Sequence, residues 1–253
     1  MSASLCEFLP WDSGFFNCRI GRVKAQRLYE SDLEQIGDWA QQERIDCLYL
    51  LADPGDPRTI RLAEQSGFRL VDVRLTYQHP PGVDRPAARD LPSVLLRPAQ
   101  PGDIPELEAL AGQLFTGTRF FFDDRFPPEA GKALYQTWIR SSVEGYADCV
   151  TVAEAEGRIA GFITAHLPAG DAGARIGLVG VASFSRGAKV GQRLVNAVLE
   201  WFHARAAGPV FVSTQAHNIP AQRLYQSCGF LAHSTGIWYH KWLTDCIPQV
   251  RKS

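Results

Sequence analysis

Between Arg175 and Val195 an apolar, β-branched run (Ile176 to Val181) gives way to a short glycine-containing loop. The residues after the loop are apolar every three or four positions: Val190, Leu194, Val198, Trp201 and Phe202 share one face of a helix. This succession of strand, loop and helix constrains the chain more than any other feature. The first turn of such a helix leaves backbone N–H groups unpaired, and the aligned peptide dipoles add partial positive charge there. The loop is therefore a ready anion site. A second strand-to-helix passage follows closely. Val212 to Gln215 reads as a strand, Asn218 as a turn, and a helix starts near Pro220, carries Tyr225 at its middle and stops at Gly229. Proline at the start and glycine at the end is the usual asymmetry of a helix.

These two passages carry a resemblance. R-G-A-K-V-G, Arg186 to Gly191, resembles the coenzyme A pyrophosphate loop of the GNAT superfamily of N-acetyltransferases, and N-I-P-A-Q-R-L-Y-Q-S-C-G-F, from Asn218, resembles the helix that follows it in that superfamily. The resemblance implies an acetyl-CoA-dependent N-acetyltransferase that uses the thioester as co-substrate and needs no metal. It also implies roles. Val179, Gly180, Val181, Arg186, Gly187, Ala188, Lys189, Val190, Gly191, Asn218 and Tyr225 would hold the coenzyme. Tyr225 would return a proton to the leaving thiolate, and Asn218 would hold the pantetheine arm or the strand end. Backbone N–H groups around Val179 to Val181 would face the oxyanion. Gly180 suits a β-bulge that frees such groups, the alternative being a glycine that relieves packing. Lys189 stands where the superfamily loop has its middle glycine, and its side chain demands ordinary helical φ/ψ. For removal of the amine proton the open choices are water, His217 and His166.

A net charge of −1 with scattered basic residues gives no reason to expect nucleic acid or an anionic membrane as partner. No apolar stretch reaches the roughly 20 residues of a membrane helix, and the N-terminus lacks a signal-peptide pattern. The expectation is a cytoplasmic protein. Cys6, Cys18, Cys47, Cys149, Cys228 and Cys246 show no C-x-x-C pair or regular spacing, so all six are read as reduced thiols.

The expected fold class is α/β: a GNAT-like mixed, mostly antiparallel sheet flanked by helices, preceded by a smaller degenerate GNAT-like unit. With 253 residues, one large or two modest domains fit. Residues 1–80 form the first unit, 81–93 a linker containing Pro81, Pro86 and Pro92, and 94–253 the catalytic domain. Helix starts are expected at Ser31–Glu34 and at Asp103–Glu106, each a capping box. A hairpin is expected to turn at Glu156–Gly157. L-A-E-Q-S-G-F from Leu62 parallels L-Y-Q-S-C-G-F from Leu224, which suggests a partial duplication whose first copy lacks the anion loop.

The segments P-W-D-S-G-F-F near the start, R-F-F-F-D-D-R-F-P from Arg119 and L-Y-Q-T-W-I from Leu134 narrow the resemblance. They are similar to the TDP-fucosamine acetyltransferase group, which implies a nucleotide-linked aminosugar as acceptor for surface polysaccharide synthesis, with a homodimer left open. Arg119, Phe120, Phe121, Asp123 and Arg125 are the candidate acceptor residues: arginine for a diphosphate, phenyl rings for a base or sugar. The same residues could instead form a small core under a lid. Two rival functions remain at this stage, acetylation of another amine, amino acid or peptide N-terminus, and a non-catalytic scaffold of the same fold.

Overall fold

The computed structural model describes residues 4–81, 94–168 and 173–250. The expected linker, Pro81 apart, lies outside the described residues. In chain order the elements are β1 (Cys6–Phe8), α1 (Pro10–Phe16), β2 (Ile20–Val23), α2 (Glu30–Gln42), β3 (Cys47–Ala52), α3 (Pro57–Gln65) and β4 (Arg69–His79). After the linker come β5 (Leu95–Pro98), α4 (Ile104–Leu114), α5 (Arg119–Phe122), α6 (Pro128–Ser141), β6 (Cys149–Ala155) and β7 (Arg158–His166). The last group is β8 (Ala174–Val181), α7 (Val190–His203), β9 (Val210–Gln215), α8 (Ile219–Ser227) and β10 (Leu231–Trp242).

Local chemistry explains most of these boundaries. Pro57 sits at the start of α3 behind Asp56, whose carboxylate accepts from the Arg58 N–H at 3.3 Å. Helices α3 and α8 end identically. Gly67 and Gly229 adopt φ of +84° and +86°, and the next residue's N–H turns back to a carbonyl five positions earlier: Phe68 to Ala63 at 3.0 Å, Phe230 to Tyr225 at 3.1 Å. Both phenylalanines are buried. The β6–β7 hairpin turns at Glu156 and Gly157, which both have positive φ, as a two-residue type I′ turn requires. The two capping boxes differ from expectation. Helix α2 begins earlier, where Asp32 accepts from the Tyr29 N–H at 2.8 Å. Near α4, Asp103 accepts from the Gln100 N–H and pairs with Arg97, while Glu106 accepts from the Ile159 N–H at 2.9 Å. Asp32 and Asp103 thus cap locally, earlier in the chain than expected, whereas Glu106 goes to a partner 53 residues away that local spacing does not reveal.

The chain divides into two compact units that interleave in sequence. One comprises Met1–Arg74, Gly117–Ala133 and Thr235–Ser253, the other Leu75–Thr116 and Leu134–Ser234. This differs from a division at the linker, because β4 and β10 each begin in one unit and end in the other. In the first unit β1 runs antiparallel to β2, β2 parallel to β3, and β3 antiparallel to Ile237–Trp242 of β10. Leu28, Ile36, Leu48, Leu50, Ala63, Phe68 and Tyr239 fill its core. In the second unit β5, β6, β7 and β8 are successively antiparallel, and β8 pairs in parallel with β9. This is the mixed, mostly antiparallel sheet expected. Val190, Leu194, Val198 and Phe202 of α7 are buried against Ile163, Ile176 and Val212 of that sheet. The periodicity of α7 had specified that face.

One expectation about the cysteines fails. Cys18 and Cys246 form a disulfide across 228 residues of sequence, with Cα atoms 6.3 Å apart. Such a pairing leaves no spacing signature, because the fold and not the local sequence brings the two thiols together. Cys6, Cys47, Cys149 and Cys228 are free.

Candidate active site

In the second unit, β8 supplies an open edge. Its parallel pairing with β9 covers Ala174, Arg175 and Ile176, and among the described residues no strand pairs with that edge from Gly177 to Val181. Main-chain groups of Val179 to Val181 on that side are free to meet a ligand. On its other side β8 pairs with β7, and the register slips between Val179 opposite Ile163 and Ile176 opposite Ala165. The extra residue therefore falls at Gly177–Leu178, where the Thr164 hydroxyl accepts from the Leu178 N–H at 2.8 Å. A Cβ on Gly177 would meet Thr164 Oγ1 at 2.6 Å and His166 Nε2 at 2.9 Å. Glycine is required there.

The bulge expected at Gly180 is thus displaced. Gly180 is in register opposite Phe162, and a Cβ on it would lie 2.6 Å from the Phe162 ring and 2.8 Å from Leu114. Its glycine relieves packing, the second of the two roles the sequence allows.

Beyond β8 a single turn (Ser183–Ser185) leads into Arg186, Gly187, Ala188 and Lys189, all exposed. Gly187 has φ of +82°. Lys189, the residue before α7, has φ of 56° and ψ of 17°. This corrects the expectation of helical backbone at Lys189: the loop keeps the left-handed turn that a glycine would take, and the lysine adopts it. No side chain caps the N-terminus of α7, so its first-turn N–H groups remain available for an anion. Arg158 lies over the ring of Phe184 at 4.4 Å and adds a cation beside the turn.

Gly191 joins the two sequence motifs. A Cβ there would meet Leu224 Cδ2 at 3.1 Å and Val181 Cγ2 at 3.4 Å, so the start of α7 packs directly on α8 and on the end of β8. Tyr225, next to Leu224, is buried, with its ring 6.1 Å from that of Tyr77 and 5.8 Å from that of Phe230. Burial holds its phenol well above the ordinary tyrosine range, with the nearby Cys228 adding to the effect. The phenol therefore keeps its proton at neutral pH.

Asn218 caps α8, its side-chain oxygen accepting from the Ala221 N–H at 3.2 Å. His217 is exposed. His166 is buried at the end of β7 beside the bulge, its ring 5.5 Å from Tyr146. Burial lowers its pKa, and Arg175 lowers it further. It is therefore neutral at physiological pH.

The expected acceptor residues lie in the first unit. Asp123 is buried and accepts from His240 Nδ1 at 2.6 Å, Trp242 Nε1 at 2.9 Å and the Arg125 N–H at 3.1 Å. Burial would raise its carboxyl, but those hydrogen bonds hold it below the usual range. Phe120 is buried against Phe16 and Phe126, and Phe121 packs where a Cβ on Gly131 would sit. Arg125 donates to the carbonyls of Thr244 and Cys246 at 2.8 and 3.1 Å. Much of the cluster is thus a small core. Arg119 differs: its guanidinium lies over Tyr49 (4.1 Å), Phe120 (4.4 Å) and Trp238 (4.4 Å) and contacts His240 Nε2 at 3.0 Å. Tyr49, Trp238 and His240 sit on strands with no motif around them, so no sequence signal marks them. Among the described residues, Cys18, Asp46 and Cys246 are a group with metal-ligand spacing, and its two sulfurs are those of the disulfide. No helix among the described residues is long and apolar enough to cross a membrane.

Comparison with known proteins places the chain among relatives. A model of the acetyltransferase (GNAT) family matches residues 113–230. The chain is 30% identical over 243 residues to the dTDP-fucosamine acetyltransferase of Escherichia coli O6:H1, covering 93% of this chain and 97% of that one. It is 29% identical over 147 residues to the spore coat polysaccharide biosynthesis protein SpsD of Bacillus subtilis, of which it spans 50%. Among solved structures, a GCN5-related N-acetyltransferase from Sphaerobacter thermophilus shares the fold, with a TM-score of 0.67 at 18% identity, covering 98% of this chain and 78% of that one. With 30% identity to the dTDP-fucosamine acetyltransferase held over nearly the whole of both chains, the chain belongs to the GNAT family of acetyltransferases and is an acyltransferase enzyme.

Proposed function

We propose that the protein transfers an acetyl group from acetyl-CoA to the amine of a dTDP-linked aminodideoxyhexose, in the synthesis of a surface polysaccharide. The observation that carries this reading is the pairing of an uncapped anion loop, packed on the Tyr225 helix, with end-to-end similarity to a dTDP-fucosamine acetyltransferase.

The residues fit the co-substrate. The first-turn N–H groups of α7, with Arg186, Gly187, Ala188, Lys189, Val190 and Gly191 around them, suit a diphosphate. The free edge of β8 at Val179–Val181 suits an extended, amide-bearing arm, which would pair with it as an added strand does. Acetyl-CoA supplies the activated acyl group as a thioester. The chain's own residues then serve the transfer. Main-chain N–H groups of β8 face the carbonyl oxygen as it gains charge when the amine nitrogen bonds to carbon. Tyr225 gives its proton to the sulfur as the C–S bond breaks. The amine loses one proton to water or to His166, which is neutral and buried. Asn218 acts by fixing the start of α8, and so the position of Tyr225.

The test is thiol release with a panel of amines: a dTDP-4-amino-4,6-dideoxyhexose, free amino acids and a peptide N-terminus. The aminosugar should be the best substrate, and Tyr225→Phe should slow turnover by roughly a hundred-fold or more. Equal turnover of Tyr225→Phe would overturn the proton-donor role. A preference for amino acids would overturn the acceptor.

A further inference from the structure

Three arginines of the first unit gather around one sheet face, and the packing gives a carboxylate partner to one of them. The register sets Arg22 of β2 opposite Tyr49 of β3, and Tyr49 opposite His240 of β10. Side chains paired across strands share a face, and Trp238 lies two residues from His240 on that same face. Arg119 from α5 lies over Tyr49 and Trp238. Arg74, at the end of the first unit's part of β4, lies over the same Trp238 ring at 5.8 Å. One indole therefore carries two guanidinium groups.

Their partners do not balance the charge. Arg22 has Glu7, at 2.7 Å from its Nε. Arg119 has the imidazole of His240, which burial keeps neutral. Arg74 is half-buried and, among the described residues, meets no carboxylate, only the indole. Burial and the charges of Arg119 and Arg22 all act against its protonated form. Asp12 is close enough to Arg119 and Arg22 to feel their charge but hydrogen-bonds to neither side chain. The hydroxyl of Tyr49, under Arg119, is buried and lacks a hydrogen-bond partner among the described residues. Leaving a guanidinium partly desolvated beside two like charges is costly unless an anion completes the set.

We propose that Arg74 and Arg119, flanking Trp238 with Arg22 nearby, form a binding site for the diphosphate of a nucleoside diphosphate. The planar forks of two arginines match the bidentate oxygens of phosphate, and the indole fixes where both forks can lie. This rests on the acceptor class proposed above and adds to it the residues that hold the acceptor's anionic group, two of which, Arg74 and Trp238, belong to no motif.

Calorimetric titration with dTDP, inorganic pyrophosphate and thymidine tests the site directly. dTDP and pyrophosphate should bind the parent protein and thymidine should bind at least ten-fold more weakly than dTDP, because the diphosphate carries the affinity. Arg74→Gln should weaken dTDP about ten-fold or more, the loss expected for a charge-assisted contact, while coenzyme A binding to the second unit is unchanged. Should Arg74→Gln also lose coenzyme A binding, Arg74→Lys replaces it, keeping the charge and losing the fork, and it should still weaken dTDP. Thymidine binding as tightly as dTDP, or dTDP affinity unchanged in a folded Arg74 variant, overturns the proposal. The two readings fail separately. Arg74-dependent dTDP binding without aminosugar acetylation removes the proposed function and leaves the site. Acetylation of the aminosugar with Arg74-independent dTDP binding does the reverse.

Discussion

Lys189 gives the sharpest test of how the anion loop is built. Its backbone is left-handed, with φ of 56°, a conformation that costs an ordinary L-residue about 1–2 kcal/mol. Glycine would remove that cost but adds about 0.5–1 kcal/mol of unfolded-state entropy. Alanine keeps the Cβ and therefore the strain. The variants Lys189→Gly and Lys189→Ala both lose the ammonium, so the difference between them isolates the backbone. The two effects leave Lys189→Gly more stable than Lys189→Ala by roughly 0.5–1 kcal/mol, or about 1–4 °C in Tm for a chain of this size. Parallel thermal melts read the difference. Calorimetric titration of coenzyme A into both variants should show affinity reduced by the same factor, because the main-chain N–H groups of α7 survive either change. If Lys189→Gly melts no higher than Lys189→Ala, the loop is not held in the left-handed turn and helical backbone at Lys189 is the right reading.

Two further predictions concern packing and protonation. Gly180→Ala would force a methyl to within 2.6 Å of Phe162 and 2.8 Å of Leu114; it should cost about 1–3 kcal/mol in denaturant unfolding, and an unchanged midpoint would contradict the packing. His240 is buried, and desolvation, reinforced by Arg119, pushes its pKa from 6.5 down to about 4 despite the hydrogen bond with Asp123. Because the folded value is depressed, its contribution is complete above pH 6.5 and is lost as pH falls toward 4, by roughly 3 kcal/mol in total. The parent should lose more stability than His240→Asn over that window in urea titrations at stepped pH, and parallel curves would refute the buried neutral imidazole.

The parts of the fold legible in the sequence are those whose physics is local. The buried face of α7 follows from apolar spacing, the hairpin from Glu156–Gly157, and the two helix ends from Gly67 and Gly229. Each records a constraint that spans a few residues. Register does not: nothing near Gly180 distinguishes it from Gly177, and the bulge belongs to the glycine that faces Thr164 and His166. Pairings across the whole chain were also out of reach. Cys18 meets Cys246, and Arg119 meets Tyr49 and His240, only after β3 and β10 lie side by side. The acceptor cluster shows the limit most clearly. Its arginines and phenylalanines were visible as a group, but Asp123 and Arg125 are spent on His240, Trp242 and two carbonyls, and Arg74 and Trp238 carried no motif to announce them.

The interleaving of the two units bears on how the chain is made. The first unit needs Thr235–Ser253 as well as Met1–Arg74, so β3 must wait until β10, far later in the chain, has left the ribosome before it gains that neighbour. The other unit draws on nothing after Ser234 and can condense first, reversing the usual N-terminal-first order of synthesis. During that delay Leu48, Leu50 and Tyr49 of β3 lack a strand on one side, a stretch of exposed apolar edge. A nascent chain halted before residue 235 should therefore engage chaperones through β3 rather than through its newest residues.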